Sequence, residues 1–341
     1  MQEIKIDREL AIYMKGIAII LMVVHHAFAN PDWHILSISY PALLPYARDI
    51  GRFGGFAVVP MFVFLTGYTY YLHQDKSIKY SLKKISIFFV DFWLVLFLML
   101  GLAYGFADYR PNALQILQEM FSVTKNVMLF SWYILLYIEI MFFLPCLHRW
   151  VSKYSLPKVG LLLLVFYSLL LGLREGLQLA GLGETILMEM VDYDFLGYGH
   201  LAILGYFIAK YDGFTKLNIY LGKDKYFYPI CLLAFLAYQY GAKYNVLCTS
   251  LWMLGLYKLH LDYSRPVQKI LLFLGRHSMN IWFFQCLFFA AATREFFQPL
   301  GFAPSIPPLV VAWILFLCTV ASLIFTPVQK LVQPKVEALF K

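Results

Sequence analysis

Charge is scarce in this chain. Asp, Glu, Lys and Arg make up only 14% of its 341 residues, against about 25% in an ordinary soluble domain. Hydrophobic residues make up 61% and aromatic ones 18%. A soluble protein of this length cannot hide that much apolar surface in one core, so the expected surroundings are lipid. No polar stretch is long enough to form a soluble domain, and residues 1–341 are expected to form one membrane domain with none appended. Nothing resembling a small-residue cleavage site follows the first apolar run, and further runs succeed it, so that run is not a cleaved leader. The five cysteines (Cys146, Cys231, Cys248, Cys286 and Cys318) lack ligand spacing, which argues against both a metal site and a disulfide framework. Transporter-like internal repeats are absent, and so is the period-two alternation that a membrane barrel requires.

What is present is a succession of apolar runs near the ~20 residues that span a bilayer as helix. Ten runs stand out, near 11–30, 51–72, 84–104, 129–148, 157–175, 195–210, 226–242, 244–260, 269–292 and 306–326. The expected fold is an all-α bundle of about ten transmembrane helices. With the N-terminus placed inside, twenty of the basic residues fall in inside segments and seven in outside ones. That asymmetry follows the positive-inside rule and puts both termini in the cytoplasm. The formal charge of +8 thus reflects topology, not nucleic-acid binding.

The first run, "MKGIAIILMVVHHAF", keeps Lys15, His25 and His26 amid apolar neighbours. A helix turns about 100° per residue, so eleven residues bring Lys15 and His26 onto nearly one face, about 16 Å apart. His25 points about 100° away from His26. Ala18, Ile19 and Met22 lie between Lys15 and His26 on that face, leaving room for a long ligand. From this helix alone two readings stand side by side: a snorkelling lysine with interfacial histidines, or a functional pair.

The rest of the chain resembles a known family. "KGIAIILMVVHHA", a basic residue followed by Gly, an apolar stretch and His eleven positions on, resembles the opening signature of the type 3 acyltransferases, integral membrane proteins that mostly carry Arg where Lys15 stands. "GGFAVVPMFVFLTGYTYY", "YSLKKISIFFVDFW", "SWYILLYIEIMFFLP", "LGYFIAKYD" and "LGRHSMNIWFFQCLF" are similar to later blocks, in order and along nearly the whole chain. At Gln285 many members carry His, and that position is assigned no catalytic role.

The resemblance implies transfer of an acyl group, usually acetyl, from cytoplasmic acyl-coenzyme A to a hydroxyl of a surface polysaccharide or lipid-linked glycan. Acetyl-CoA is then the donor, no metal is needed, and the protein sits in a bacterial inner or plasma membrane. An imidazole suits this chemistry as base or as acyl carrier, which makes His26 the candidate catalytic group. Lys15, Lys83 and Lys84 are the candidate contacts for coenzyme A phosphates, and the lysine cluster also satisfies the positive-inside rule by itself. Glu139, mid-span and costly if ionised, either orients His26 or forms a structural ion pair. Asp91 is expected to pair with the inner lysines. Trp33 and Asp49, with Tyr40 and Tyr46, form either a sugar platform or an interfacial aromatic belt. His200 is either a substrate contact or a packing histidine. From a different class, a transporter or flippase of a lipid-linked sugar, or a substrate-recognition module without catalysis, remains the alternative.

Overall fold

The computed structural model describes residues 4–29, 44–221, 224–239, 246–262 and 265–340. Its elements in chain order are α1 (Arg8–Phe28), α2 (Leu44–Leu72), α3 (Ile78–Phe106), α4 (Ala113–Met120), α5 (Trp132–Lys153), α6 (Leu156–Leu179) and α7 (Ile186–Met188). A π-helical stretch (Glu189–Gly199) leads into α8 (His200–Lys210), followed by α9 (Gly213–Leu221), α10 (Asp224–Gln239) and α11 (Val246–Asp262). The chain ends with α12 (Arg265–Phe284), α13 (Cys286–Phe289), α14 (Arg294–Gly301) and α15 (Pro307–Ala338). No strand occurs among the described residues.

Helical residues overlie each of the ten apolar runs. Five helices among the described residues (α1, α3, α5, α6 and α15) are both long and apolar enough to cross a membrane, and Ala57–Leu72 within α2 is a shorter apolar helix. Two other runs are interrupted. The sixth is shared between the π-helical stretch and the 11-residue α8, and the ninth breaks at Gln285 between α12 and α13.

The first helix is a hub of the bundle, in contact with α2, α11, α12 and α15. Asp7 caps it, accepting a hydrogen bond from the Leu10 amide at 2.8 Å, as short polar side chains do at helix starts. The segment ahead of it is tied down as well: the Ile4 amide donates to Thr215 Oγ1 at 2.8 Å and the Ile6 amide to Tyr68 Oη at 3.1 Å. Both isoleucines are buried. By contrast α6 is almost entirely unburied and apolar, a rim helix whose surface suits lipid.

The hub is set by backbones that nearly touch. A Cβ on Gly16 would lie 2.0 Å from the Leu271 carbonyl oxygen, and one on Gly275 would lie 1.8 Å from that of Ile12. Gly67 and Gly205 do the same between α2 and α8, with 1.9 Å to the Ala202 oxygen and 2.1 Å to the Phe64 oxygen. Small residues of this kind let membrane helices approach and gain packing energy where lipid offers no hydrophobic drive.

Overpacking of this sort costs about 1–3 kcal/mol. Gly275→Ala and Gly16→Ala are therefore expected to lower the thermal midpoint of the detergent-purified protein. Gly101→Ala, where no atom lies within 4 Å, is expected to leave it unchanged or raise it. Equal melting of all three variants would remove the glycine contacts as the basis of the hub.

Candidate active site

A cavity of about 370 Å³ opens among α1, α2, α3, α5 and α12, within the size range of small-molecule sites. Each helix contributes one stripe at helical spacing. The first helix gives Lys15, Met22 and His26; α3 gives Tyr80, Lys84 and Phe88; α5 gives Tyr133, Tyr137 and Met141. From α12 come Ser278, Met279 and Trp282, and from α2 Phe62, Thr66, Thr69 and Tyr70, among others. Nearly half of the lining is aromatic, with two lysines and one imidazole as its ionisable nitrogen groups. Thr66 and Thr69 donate their hydroxyls back to the Phe62 and Leu65 carbonyls at 2.8 and 2.6 Å, so they offer the cavity oxygen lone pairs.

The two adjacent histidines part company. His26 is buried, with its ring stacked on Phe130 at 3.5 Å between centroids and 3° between planes. Its Nδ1 donates to Gln285 Oε1 at 3.0 Å. His25 turns to α2, where its Nδ1 donates to the Gly51 carbonyl at 3.0 Å and its ring lies over Gly55. A Cβ on Gly55 would fall 2.1 Å from that ring. His25 is a strut between helices, and His26 is the ring on the cavity.

The Phe130 platform is itself built on a buried carboxylate. Glu119, fully inaccessible, accepts from Thr124 Oγ1 at 3.0 Å, the Asn126 amide at 2.7 Å and the Val127 amide at 3.4 Å. The Asn126 carbonyl in turn accepts from the Ala292 amide at 3.0 Å, tying this loop to the segment just beyond Gln285.

The sequence-predicted residues divide. Lys15, Lys84 and His26 meet on one cavity. Lys84 also lies over the Tyr80 ring, 5.6 Å from its centroid. Lys83 does not join them. One residue round the helix, it turns outward to Glu337 at 3.4 Å, both partners being partly exposed. Glu139 does not reach His26 either and is not on the cavity lining. Two residues past Tyr137, it points about 200° from the cavity stripe of α5. Its Oε2 is buried with no hydrogen-bond partner among the described residues. Asp91 is bound by Gln333 instead of a lysine, whose Nε2 donates to its oxygens at 3.0 and 2.8 Å. His200 opens α8 away from the cavity lining, and Asp49 is exposed in the first turns of α2. Trp33 and Tyr40 lie outside the described residues.

Sequence reasoning missed the aromatic wall. Tyr133, Tyr137 and Met141 stand at four-residue spacing in "YILLYIEIM", as do Ser278 and Trp282 in "SMNIW", which is the signal that could have found them. Gln285 and Glu119 carried no such signal, because each acts across elements.

With the geometry in view, kinship can be tested. The family model of the type 3 acyltransferases, described as an acyltransferase domain, matches residues 10–326. The chain belongs to this family. No curated protein and no solved structure matches it.

Replacing Glu119 by Gln turns one acceptor into a donor facing backbone N–H groups and leaves a buried group unpaired, at a cost of about 1–3 kcal/mol. Glu119→Gln is expected to lower the melting temperature and speed amide exchange at Asn126 and Val127. Unchanged protection there would free the Phe130 platform from Glu119.

Proposed function

We propose that the protein is a multi-pass O-acyltransferase of a bacterial inner or plasma membrane that moves an acyl group from cytoplasmic acyl-coenzyme A to a hydroxyl of a surface polysaccharide or lipid-linked glycan. Acetyl is the group favoured by the family resemblance. The observation that carries this reading is one cavity with two lysines and one buried imidazole on its walls. A donor with phosphates at one end and a thioester at the other suits Lys15 and Lys84 with its anionic end and His26 with its reactive end. The lysines then belong to the cytoplasmic side, in keeping with the positive-inside pattern.

Two routes fit the imidazole. As a base, His26 takes the acceptor hydroxyl proton while the oxygen attacks the thioester carbonyl; the C–S bond breaks and the proton passes to the departing thiolate. As a carrier, an unprotonated His26 nitrogen attacks the thioester and expels coenzyme A as its thiolate; the hydroxyl oxygen then takes the acyl group, the C–N bond breaks, and the hydroxyl proton neutralises the thiolate. Both need an imidazole nitrogen with its lone pair available, and neither needs Glu139. Transport of a lipid-linked sugar, the alternative class, would move glycan without consuming acyl-coenzyme A.

Charge-assisted hydrogen bonds contribute about 1.5–3 kcal/mol. Lys15→Ala and Lys84→Ala are therefore expected to raise the donor KM about ten- to a hundredfold, with Lys15→Arg retaining much of the affinity. Lys83→Ala removes only an exposed ion pair of about 0–1 kcal/mol and is expected to leave the donor KM near normal. An unchanged KM in both cavity variants would return these lysines to a purely topological role.

Turnover of labelled acetyl-CoA by purified protein, with mass spectrometry of surface glycan from cells with and without it, tests the activity. His26→Gln keeps hydrogen bonding and bulk but takes no proton at neutral pH, so kcat is expected to fall about 10²–10⁴-fold. His25→Ala is expected to weaken the α1–α2 contact and retain measurable turnover. Near-normal turnover by His26→Gln would end the catalytic role of His26.

A further inference from the structure

We propose that Gln285 is a positioning residue that holds His26 in the tautomer protonated at Nδ1, leaving Nε2 as the nitrogen with the free lone pair. The inference rests on the acyl-transfer reading above for its catalytic consequence, though not for the tautomer itself.

Four observations converge on it. The His26 Nδ1–Gln285 Oε1 bond is 3.0 Å long between two buried side chains. Stacking on Phe130 fixes the plane of the imidazole, so an in-plane hydrogen bond decides which nitrogen keeps its proton. Gln285 sits where the ninth apolar run breaks, yet its side chain makes no capping bond to the short helix that follows. The break is closed by main chain: the Gln285 amide donates to the Ile281 carbonyl at 3.1 Å, and the Phe288 amide donates to the Gln285 carbonyl at 3.0 Å. The side-chain amide is therefore left for His26.

The fourth observation is a cost. Gln285 Nε2 is buried without a hydrogen-bond partner among the described residues. A methionine of similar length would fill this space without an unpaired donor, so packing alone does not explain an amide here. What the amide supplies and Met does not is an acceptor for Nδ1–H. The reverse amide orientation would point Nε2–H at Nδ1, place the imidazole proton on Nε2 and leave His26 unable to act as base or nucleophile there. The two orientations thus make opposite chemical predictions.

The other titratable groups around His26 are His25 beside it on α1, Lys15 and Lys84 on the shared cavity, and Tyr70, Tyr80, Tyr133 and Tyr137 on the α2, α3 and α5 walls. No carboxylate is on the cavity lining among the described residues. A carboxylate introduced at 285 would set a negative charge directly against Nδ1 of the ring.

The test has a spectroscopic arm and a kinetic arm, both on the full chain in nanodiscs. Imidazole ¹⁵N shifts of histidine-labelled protein, with His26 assigned by its loss in His26→Gln, are expected to show the Nδ1-protonated ring. An Nε2-protonated ring in the wild type overturns the proposal without any variant having to fold. In kinetics, Gln285→Met is expected to lower kcat about 10–100-fold with donor KM unchanged, as loss of a ligand-orienting partner does. Gln285→Glu, which also accepts from Nδ1–H, is expected to restore turnover and move the acid limb of the pH profile to higher pH, because a carboxylate favours the imidazolium. A folded Gln285→Glu as inactive as Gln285→Met, or a Gln285→Met with normal kcat, overturns it. Wild-type protein with the Nδ1-protonated ring but no acyl transfer supports the tautomer and counts against the enzymatic reading instead.

Discussion

The backbone contact between α1 and α12 is the constraint from which the candidate site follows. Gly16 and Gly275 let these helices touch at main-chain distance, and the same pair of helices meets again at the His26–Gln285 hydrogen bond. From Gly16 to His26 is ten residues, and from Gly275 to Gln285 is also ten. At about 1.5 Å of rise per residue both distances are roughly 15 Å. The two helices therefore run parallel in matched register, and one close contact sets the other. A side chain at either glycine would push the helices apart and stretch a hydrogen bond that lies three turns away.

Membrane proteins place polar groups sparingly, because each must be paired or used. Here most of the buried ones have evident structural duties. Glu119 folds the loop that carries Phe130, Asp91 is bound by Gln333 on the last helix, and Asn280 and Gln329 exchange amide hydrogen bonds at 2.7 and 2.9 Å. Once these are accounted for, Lys15, Lys84 and His26 remain as the ionisable nitrogen groups on one wall system. Their selection comes from the pairing of the others as much as from their own position.

How much of this was legible in the sequence depended on whether the information lay within one helix or between two. The Lys15–His26 face could be read because a single helix carries both ends, and the separation of His25 from His26 followed from the same rule. Lys83 and Lys84 differ by one residue, and no periodicity said which would face inward until α12 and α15 were in place beside them. Glu139 drew attention by being a carboxylate mid-span, but the face of α5 was already written in Tyr133, Tyr137 and Met141. Set against that stripe, its place on the far side of the helix was readable. Gln285 was visible only as a departure from the His that many members of the resembling family carry, since its partner lies 259 residues away in the chain.

The substitution at 285 is informative for the same reason. A histidine at a position facing His26 would bring a second titrating ring to the site, able to donate or accept according to its own protonation. A glutamine does not titrate, so it offers its acceptor oxygen at every pH. In the tautomer proposed above, Phe130 fixes the plane of the ring and the amide holds one proton, which leaves protonation to the second nitrogen. On the proposed reading that is the behaviour a single base or carrier needs: the lysines would place an anionic donor by charge, and the imidazole would exchange a proton or a group with it. The proposed division of labour assigns charge to Lys15 and Lys84 and proton or group transfer to His26 on the same cavity.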